Sequence, residues 1–173
     1  MKRLLLLLCL CGLGALAAGA VTVQADDGHP GSDDSACVTG AGGDGQGDDN
    51  GGEDRQGTVG DDDEHGSGAD DVMQGHAGDD HLAGAAGDDD LCGDDGDDRL
   101  EGGAGDDRLE GGRGNDRITG GPGVDTILAG AGDDRILARD HRRDHISCGT
   151  GDDTVSADRG DAVTASCEHV SRR

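Results

Sequence analysis

The sequence predicts an all-β fold, a right-handed parallel β-roll (β-solenoid) of nonapeptide repeats preceded by a disordered or degenerate N-terminal segment. Three observations carry that expectation. From Gly66 onward an aliphatic residue recurs every nine positions: Met73, Leu82, Leu91, Leu100, Leu109, Ile118, Ile127 and Ile136. Two residues before each stands an aspartate: Asp71, Asp80, Asp89, Asp98, Asp107, Asp116, Asp125 and Asp134. The chain also has 36 glycines and no Phe, Tyr or Trp, so it cannot assemble a thick core of large side chains. Low-complexity drift would not hold one aliphatic position fixed while its neighbours vary, so the period marks a repeat architecture.

Residues 1–25 read as a secretory signal peptide. Lys2 and Arg3 precede an apolar run rich in Leu and Ala, and the small residues Val23 and Ala25 stand before Asp26. The run is short and broken by glycines, which disfavours a retained anchor. The mature protein is therefore expected to be secreted and extracellular, with no membrane association after cleavage. Residues 26–65 offer little to bury and read as a flexible Gly/Asp-rich segment with degenerate repeats. In the fragment GTVGDDD at 57–63 the repeat has decayed, and Glu64 stands where an aliphatic residue belongs.

The roll is expected over 66–156. Eight unbroken units fill 66–137; one extra residue then shifts the frame, and Asp144/Ile146 and Asp153/Val155 follow. Glycines at the first and fourth places supply positive φ for a tight six-residue turn. The remaining three residues make a short strand whose middle side chain points inward and whose neighbours point to solvent. Two units form one coil, so residues eighteen apart stack, giving one ladder of Leu82, Leu100, Ile118 and Ile136 and another of Met73, Leu91, Leu109 and Ile127. Residues 157–173 form a C-terminal cap. The favoured disulfide, Cys148–Cys167, closes a short loop there, while Cys37 and Cys92 either pair or stay free.

Such stacking brings the aspartates together, and with 39 acidic against 14 basic residues the charge is not neutralised from within. A divalent cation between successive turns converts that repulsion into attraction. Carboxylates and turn carbonyls in an irregular cage suit Ca²⁺ better than Mg²⁺, which demands near-ideal octahedral geometry. The candidate ligands are Asp71, Asp80, Asp89, Asp98, Asp107, Asp116, Asp125, Asp134, Asp144 and Asp153. The spacing excludes an EF-hand: in the nearest run, Asp61 to Val72, Val72 stands where the closing Glu belongs. The acidity excludes nucleic acid and an anionic membrane as partners.

The units GGAGDDRLE (102–110) and GGRGNDRIT (111–119) resemble the nonapeptide of the RTX, or repeats-in-toxin, calcium-binding proteins. The resemblance covers about residues 66–156 and implies a parallel β-roll with Ca²⁺ between turns, held by the sixth-place Asp and backbone carbonyls. The tail ISCGTGDDTVSADRGDAVTASCEHV resembles the ends of small exported calcium-binding proteins of actinobacteria. The chain departs from the pattern at Asp94 and Asp95, which replace small residues, at Val124, which replaces an acidic one, and at Arg143 beside Asp144.

No enzyme is expected, because neither a His-Glu-x-x-His motif nor a Gly-x-Ser-x-Gly elbow is present. The outward Arg99, Arg108, Arg117 and Arg135 read as salt ladders with Glu101, Glu110 and the turn aspartates. Their alternative use is a grip on an acidic glycan, which would make the protein a calcium-rigidified adhesion or extracellular-matrix module. His141 and His145 with Asp140 and Asp144 read as a bulged, solvated turn rather than a transition-metal site.

Overall fold

The computed structural model describes Gly52 and residues 54–173. The leader expected at 1–25, Cys37 and the earlier part of the 26–65 segment lie outside the described residues. Within them the fold is a parallel β-solenoid of short strands: β1 (Asp54–Gln56), β2 (Asp63–His65), β3 (Val72–Gln74), β4 (His81–Ala86), β5 (Asp90–Asp95), β6 (Arg99–Ala104), β7 (Arg108–Arg113), β8 (Arg117–Thr119), β9 (Thr126–Ala131), β10 (Arg135–Ala138), β11 (His145–Thr150), β12 (Thr154–Ala157), β13 (Ala162–Val163) and β14 (His169–Arg172). Odd-numbered strands form one seven-stranded sheet and even-numbered strands the other. Each strand thus pairs with the strand one coil away.

The register is the one the period demands. Leu82 lies beside Leu100, Leu100 beside Ile118 and Ile118 beside Ile136, while Met73, Leu91, Leu109 and Ile127 align in the opposite sheet. Ile146 and Val155 continue the two rows. All ten of these side chains are at most 1% exposed, so the core is a double file of aliphatic groups between two sheets. The extra residue of the frame shift is absorbed in the turn before β11, where pairing widens from eighteen to nineteen residues (Thr126 beside His145). His141 adopts φ 77° there, and its N–H donates to Asp158 Oδ2 at 2.7 Å.

The solenoid begins earlier than the period of aliphatic residues indicates. β1 and β2 lie within the stretch expected to be flexible, and they pair with β3 and β4. Arg55 and Glu64 take the inward places beside Met73 and Leu82 and form an ion pair at 3.2 Å. Opposite charges nine residues apart thus replace an aliphatic pair at this end of the file. At the other end β13 and β14 extend both sheets with shorter steps: Val163 lies beside Ile146 and Val170 beside Val155. The Cys148–Cys167 disulfide, with Cα atoms 5.2 Å apart, fastens this end to the buried core. Cys92 is also disulfide-bonded.

Glycine use differs from expectation at the first place of the repeat. Positive φ falls at the second and fourth places, as at Gly103 (116°) and Gly105 (148°). Of the second-place residues that are not glycine, His76, Ala85 and Asp94 adopt the left-handed region themselves, whereas Ser67 does not. The first-place glycines are required for space instead, because a Cβ on Gly102 would enter the gap between Asp107 Oδ2 and the Gly120 carbonyl oxygen.

Candidate metal centre

The turn aspartates occupy the inside of the corners. Asp71, Asp80, Asp89, Asp98, Asp107, Asp116, Asp125, Asp134, Asp144 and Asp153 are all at most 2% exposed. A strand begins at the residue after each of them, so the carboxylates stack in two files, one per corner. Their two oxygens have different environments.

Oδ1 accepts a backbone hydrogen bond from the coil before. The N–H of Asp89 donates to Asp107 Oδ1 at 3.0 Å, that of Asp98 to Asp116 at 2.9 Å and that of Asp107 to Asp125 at 3.1 Å. The same bond recurs from Asp62–Asp80 to Asp134–Asp153. Oδ2 of Asp80, Asp89, Asp98, Asp107, Asp116, Asp125, Asp134, Asp144 and Asp153 is buried and has no hydrogen-bond partner. Asp71 differs, because the N–H of Ser67 in its own turn donates to its Oδ2 at 2.6 Å.

Along the central coils the orphaned Oδ2 faces a main-chain carbonyl across the first-place glycine. Oδ2 of Asp89, Asp98 and Asp107 converges with the carbonyl oxygens of Gly102, Gly111 and Gly120 on the spaces that a Cβ on Gly84, Gly93 and Gly102 would fill. Asp80 and Asp116 meet the Gly93 and Ala129 carbonyls in the same way beside Gly75 and Gly111. A buried carboxylate oxygen left unsatisfied is costly, and two oxygens facing one another offer no donor to relieve it. A hard cation relieves both at once, so the donor set fits Ca²⁺.

Burial raises the affinity of these carboxylates for protons. Desolvation pushes Asp98, Asp107 and Asp144 up to about 6, Asp125 and Asp134 to about 7 and Asp116 to about 8. The backbone hydrogen bond opposes the shift, and the neighbouring aspartates of the stack add to it. Asp80, Asp89 and Asp153 are raised for the same reasons.

Two further files of acidic side chains escaped the sequence reading. Fifth-place aspartates accept from the following coil: the N–H of Asp88 donates to Asp70 Oδ1, that of Asp106 to Asp88 and that of Val124 to Asp106 at 2.8 Å. Paired turn acids therefore clamp the coil on one side with the fifth side chain and on the other with the sixth. Val124 takes part as a donor but offers no acceptor to the next coil, at the point where the frame shifts. The sixth-place file also runs past Asp153. Asp161 accepts from Asp144 N–H at 3.3 Å and Glu168 from Asp153 N–H at 3.1 Å. Their spacings break the period, so only the extended shape of the tail could have signalled them.

The outward arginines divide between the sheets. Arg108 bonds the 4%-exposed Glu110 at 3.0 Å and lies 3.6 Å from Asp90, and Arg99 pairs with Glu101. Arg117 and Arg135 stand beside each other with no ion pair among the described residues. His141 is 93% exposed and 3.5 Å from Asp158; no metal cluster forms around it among the described residues.

A parallel β-solenoid whose corners stack buried carboxylates against main-chain carbonyls defines a metal-binding repeat protein. The profile of the RTX calcium-binding nonapeptide repeat (4 copies) matches residues 65–100, 101–136 and 143–162. These segments make up more than half of the chain, which therefore belongs to the RTX calcium-binding repeat family. No curated protein and no solved structure matches it.

Proposed function

We propose that this protein is a secreted calcium-binding roll that completes its folding when Ca²⁺ occupies the corners between coils. The observation that carries the reading is the file of buried Oδ2 atoms without partners, which from Asp80 to Asp116 face carbonyl oxygens in glycine-lined gaps. Asp80, Asp89, Asp98, Asp107, Asp116, Asp125, Asp134, Asp144 and Asp153 are the carboxylate ligands. Asp71 joins them once Ser67 releases its Oδ2. The double file of single aliphatic side chains is thin and the glycine-rich turns are costly to order, so metal binding supplies free energy that the core lacks. Affinities in the ~10⁻⁴ to 10⁻³ M range of extracellular modules follow from that role. The leader at 1–25 supports export to a compartment where calcium is plentiful.

The test is far-UV circular dichroism during a Ca²⁺ titration, with Mg²⁺ at matched ionic strength. Coil should convert to β structure with Ca²⁺ and much less with Mg²⁺. Asp107→Ala with Asp116→Ala should weaken the response far more than Asp48→Ala with Asp49→Ala. Equal effects of the two pairs, or equal responses to the two metals, would overturn the reading.

A second reading, a calcium-rigidified adhesion or matrix module, is favoured by one observation. Arg117 and Arg135 stand in register on neighbouring strands of one face, next to Arg99, which Glu101 pairs, and the two like charges at that spacing call for an anion between them. An acidic glycan retained by the calcium-loaded protein and released by Arg117→Gln with Arg135→Gln would support it; retention by the variant would remove this face from consideration.

A further inference from the structure

The N-terminal coils carry a cluster of a different chemistry from the corner cradles. Asp63 and His65 lie two apart on β2, so both project from the same face of the strand. His81 on β4 is in register with Asp63. Asp63 Oδ1 is 2.9 Å from His81 Nδ1 and 3.2 Å from His65 Nε2. One ligand atom from each of the three side chains lies within 4.8 Å of the others, and the imidazole rings meet edge to face with centroids 5.4 Å apart. We propose that Asp63, His65 and His81 bind one borderline divalent transition metal, Zn²⁺ or a similar ion, on the outer face of this sheet.

The donor set points away from calcium. Two imidazoles and one carboxylate suit Zn²⁺, Cu²⁺ or Ni²⁺, whereas Ca²⁺ takes oxygen ligands. Tetrahedral Zn²⁺ with bonds of about 2.0–2.1 Å sets its ligand atoms roughly 3.4 Å apart. The two separations from Asp63 are already close to that value, and the two imidazoles reach it by closing about 1.4 Å at most. All three side chains are at least one-third exposed, and so free to turn.

The remaining nitrogen of His81 supports the same assignment. Nε2 is buried without a hydrogen-bond partner and lies 3.7 Å from Glu101 Oε1. Glu101 is in turn paired with Arg99. A carboxylate behind the far nitrogen of a metal-binding imidazole fixes its tautomer and orientation. The other described histidines lack this company: His76, His141 and His169 each face a single aspartate, and His145 forms no ion pair among the described residues.

The position gives the metal a structural consequence. Asp63 and His65 meet His81 only when the chain has wound through one coil, so the ion staples β2 to β4. This is the coil in which Arg55 and Glu64 replace the aliphatic pair. Winding and metal binding are linked, so calcium that folds the roll raises affinity at this site. That coupling rests on the function proposed above; the site itself does not.

Zn²⁺ binding to the full mature chain, dialysed free of metals and then loaded with Ca²⁺, should be measured by competition with a chromophoric chelator. One equivalent should bind. His65→Gln with His81→Gln should lower affinity at least tenfold while leaving the calcium-induced dichroism intact, and His141→Gln with His145→Gln should change neither. Binding retained by the first variant, or lost in the second, overturns the site. Zn²⁺ binding that survives when calcium produces no folding would sink the proposed function and leave the site standing; a chain that folds with calcium yet binds no Zn²⁺ does the reverse.

Discussion

Replacing Asp116 by Asn should stabilise the metal-free protein and leave the calcium-loaded protein nearly unchanged. Asp116 is 1% exposed, its Oδ1 accepts the Asp98 N–H, and its Oδ2 faces the carbonyl oxygen of Ala129 without a partner. Burial is the main cause that pushes its pKa from 3.8 to about 8, with Asp134 and Asp98 adding repulsion. At pH 7 the cost of ionising it in the folded chain runs from 3.8 only as far as 7, because protonation takes over beyond that point. At about 1.4 kcal/mol per tenfold change this sets a ceiling of about 4 kcal/mol, and relaxation of the site reduces it to ~2–4 kcal/mol. Asn keeps the Oδ1 acceptor, carries no charge and turns an N–H toward the Ala129 carbonyl, so the metal-free roll should gain most of that amount. With calcium at a hundredfold excess over its dissociation constant, loss of one site costs about 2.7 kcal/mol, which nearly cancels that gain in the loaded protein. Urea unfolding followed by circular dichroism, once after metal removal and once in saturating Ca²⁺, should show the metal-free curve rising toward a calcium-loaded curve that hardly moves. Asp116→Ala is the companion variant, since it also strips the Asp98 N–H of its acceptor and should lose about 1–3 kcal/mol of the gain. A loss of stability of similar size in both conditions would refute the assignment of Asp116 as a buried carboxyl that ionises only for a cation.

Acidification should favour β structure in the metal-free chain. Folded-state values of about 6 to 8 for Asp98, Asp107, Asp116, Asp125, Asp134 and Asp144 lie above the 3.8 of the unfolded chain. The folded form therefore binds more protons between about pH 8 and pH 4, and its stability rises as pH falls through that window. Calcium affinity should fall over the same window because protons compete for the carboxylates, and a dichroism-monitored titration at pH 8, 6.5 and 5 reads both trends. Gly105→Ala should destabilise the roll by ~3 kcal/mol, since the position has φ 148° and its Cβ would strike the Gly87 carbonyl oxygen of the neighbouring coil; a melting temperature unchanged in calcium would count against the close stacking of turns. Cys148→Ala with Cys167→Ala opens a loop of 19 residues and should cost about 3 kcal/mol, with hydrogen exchange rising first in β13 and β14; uniform loss of protection along the chain would mean that the C-terminal end has no separate stability.

Much of the roll could be read from the chain because one side chain per unit has one task. A middle residue of a three-residue strand either enters the file or faces water, so the spacing of Leu100, Leu109, Ile118 and Ile127 gives both sheets and their register. The sixth-place aspartates were legible for a similar reason, since a buried charge repeated without a counter-charge requires a partner. The division of labour within each carboxylate was not legible. Which oxygen meets a backbone N–H depends on the position of the neighbouring coil, eighteen residues away in sequence. The first-place glycine was assigned to backbone conformation, whereas Gly102 serves to leave room beside Asp107 Oδ2. Local rules supply a reason for every glycine in a turn, and only contact between coils separates a need for positive φ from a need for space.

The ends of the solenoid show why periodicity fails where the chemistry changes. Arg55 and Glu64 are nine residues apart, as the aliphatic residues are, and occupy the same inward places. A search for an apolar residue at the inward place stops at Met73, because a single inward charge reads as a broken repeat. The two charges acting together satisfy one another at 3.2 Å and continue the file in place of an aliphatic pair. A pattern in which the inward place is either aliphatic or half of an opposite-charge pair would begin the roll at residue 54. At the C-terminal end the steps shorten to seventeen residues from His145 to Ala162 and fifteen from Thr154 to His169. Asp161 and Glu168 still accept the backbone N–H that the stack requires. The hydrogen-bond demand of the preceding coil, rather than the nine-residue count, therefore decides which acid takes the last place. Removing Glu168 should accordingly loosen β12 and β14, which pair beside it, before any coil farther along the file.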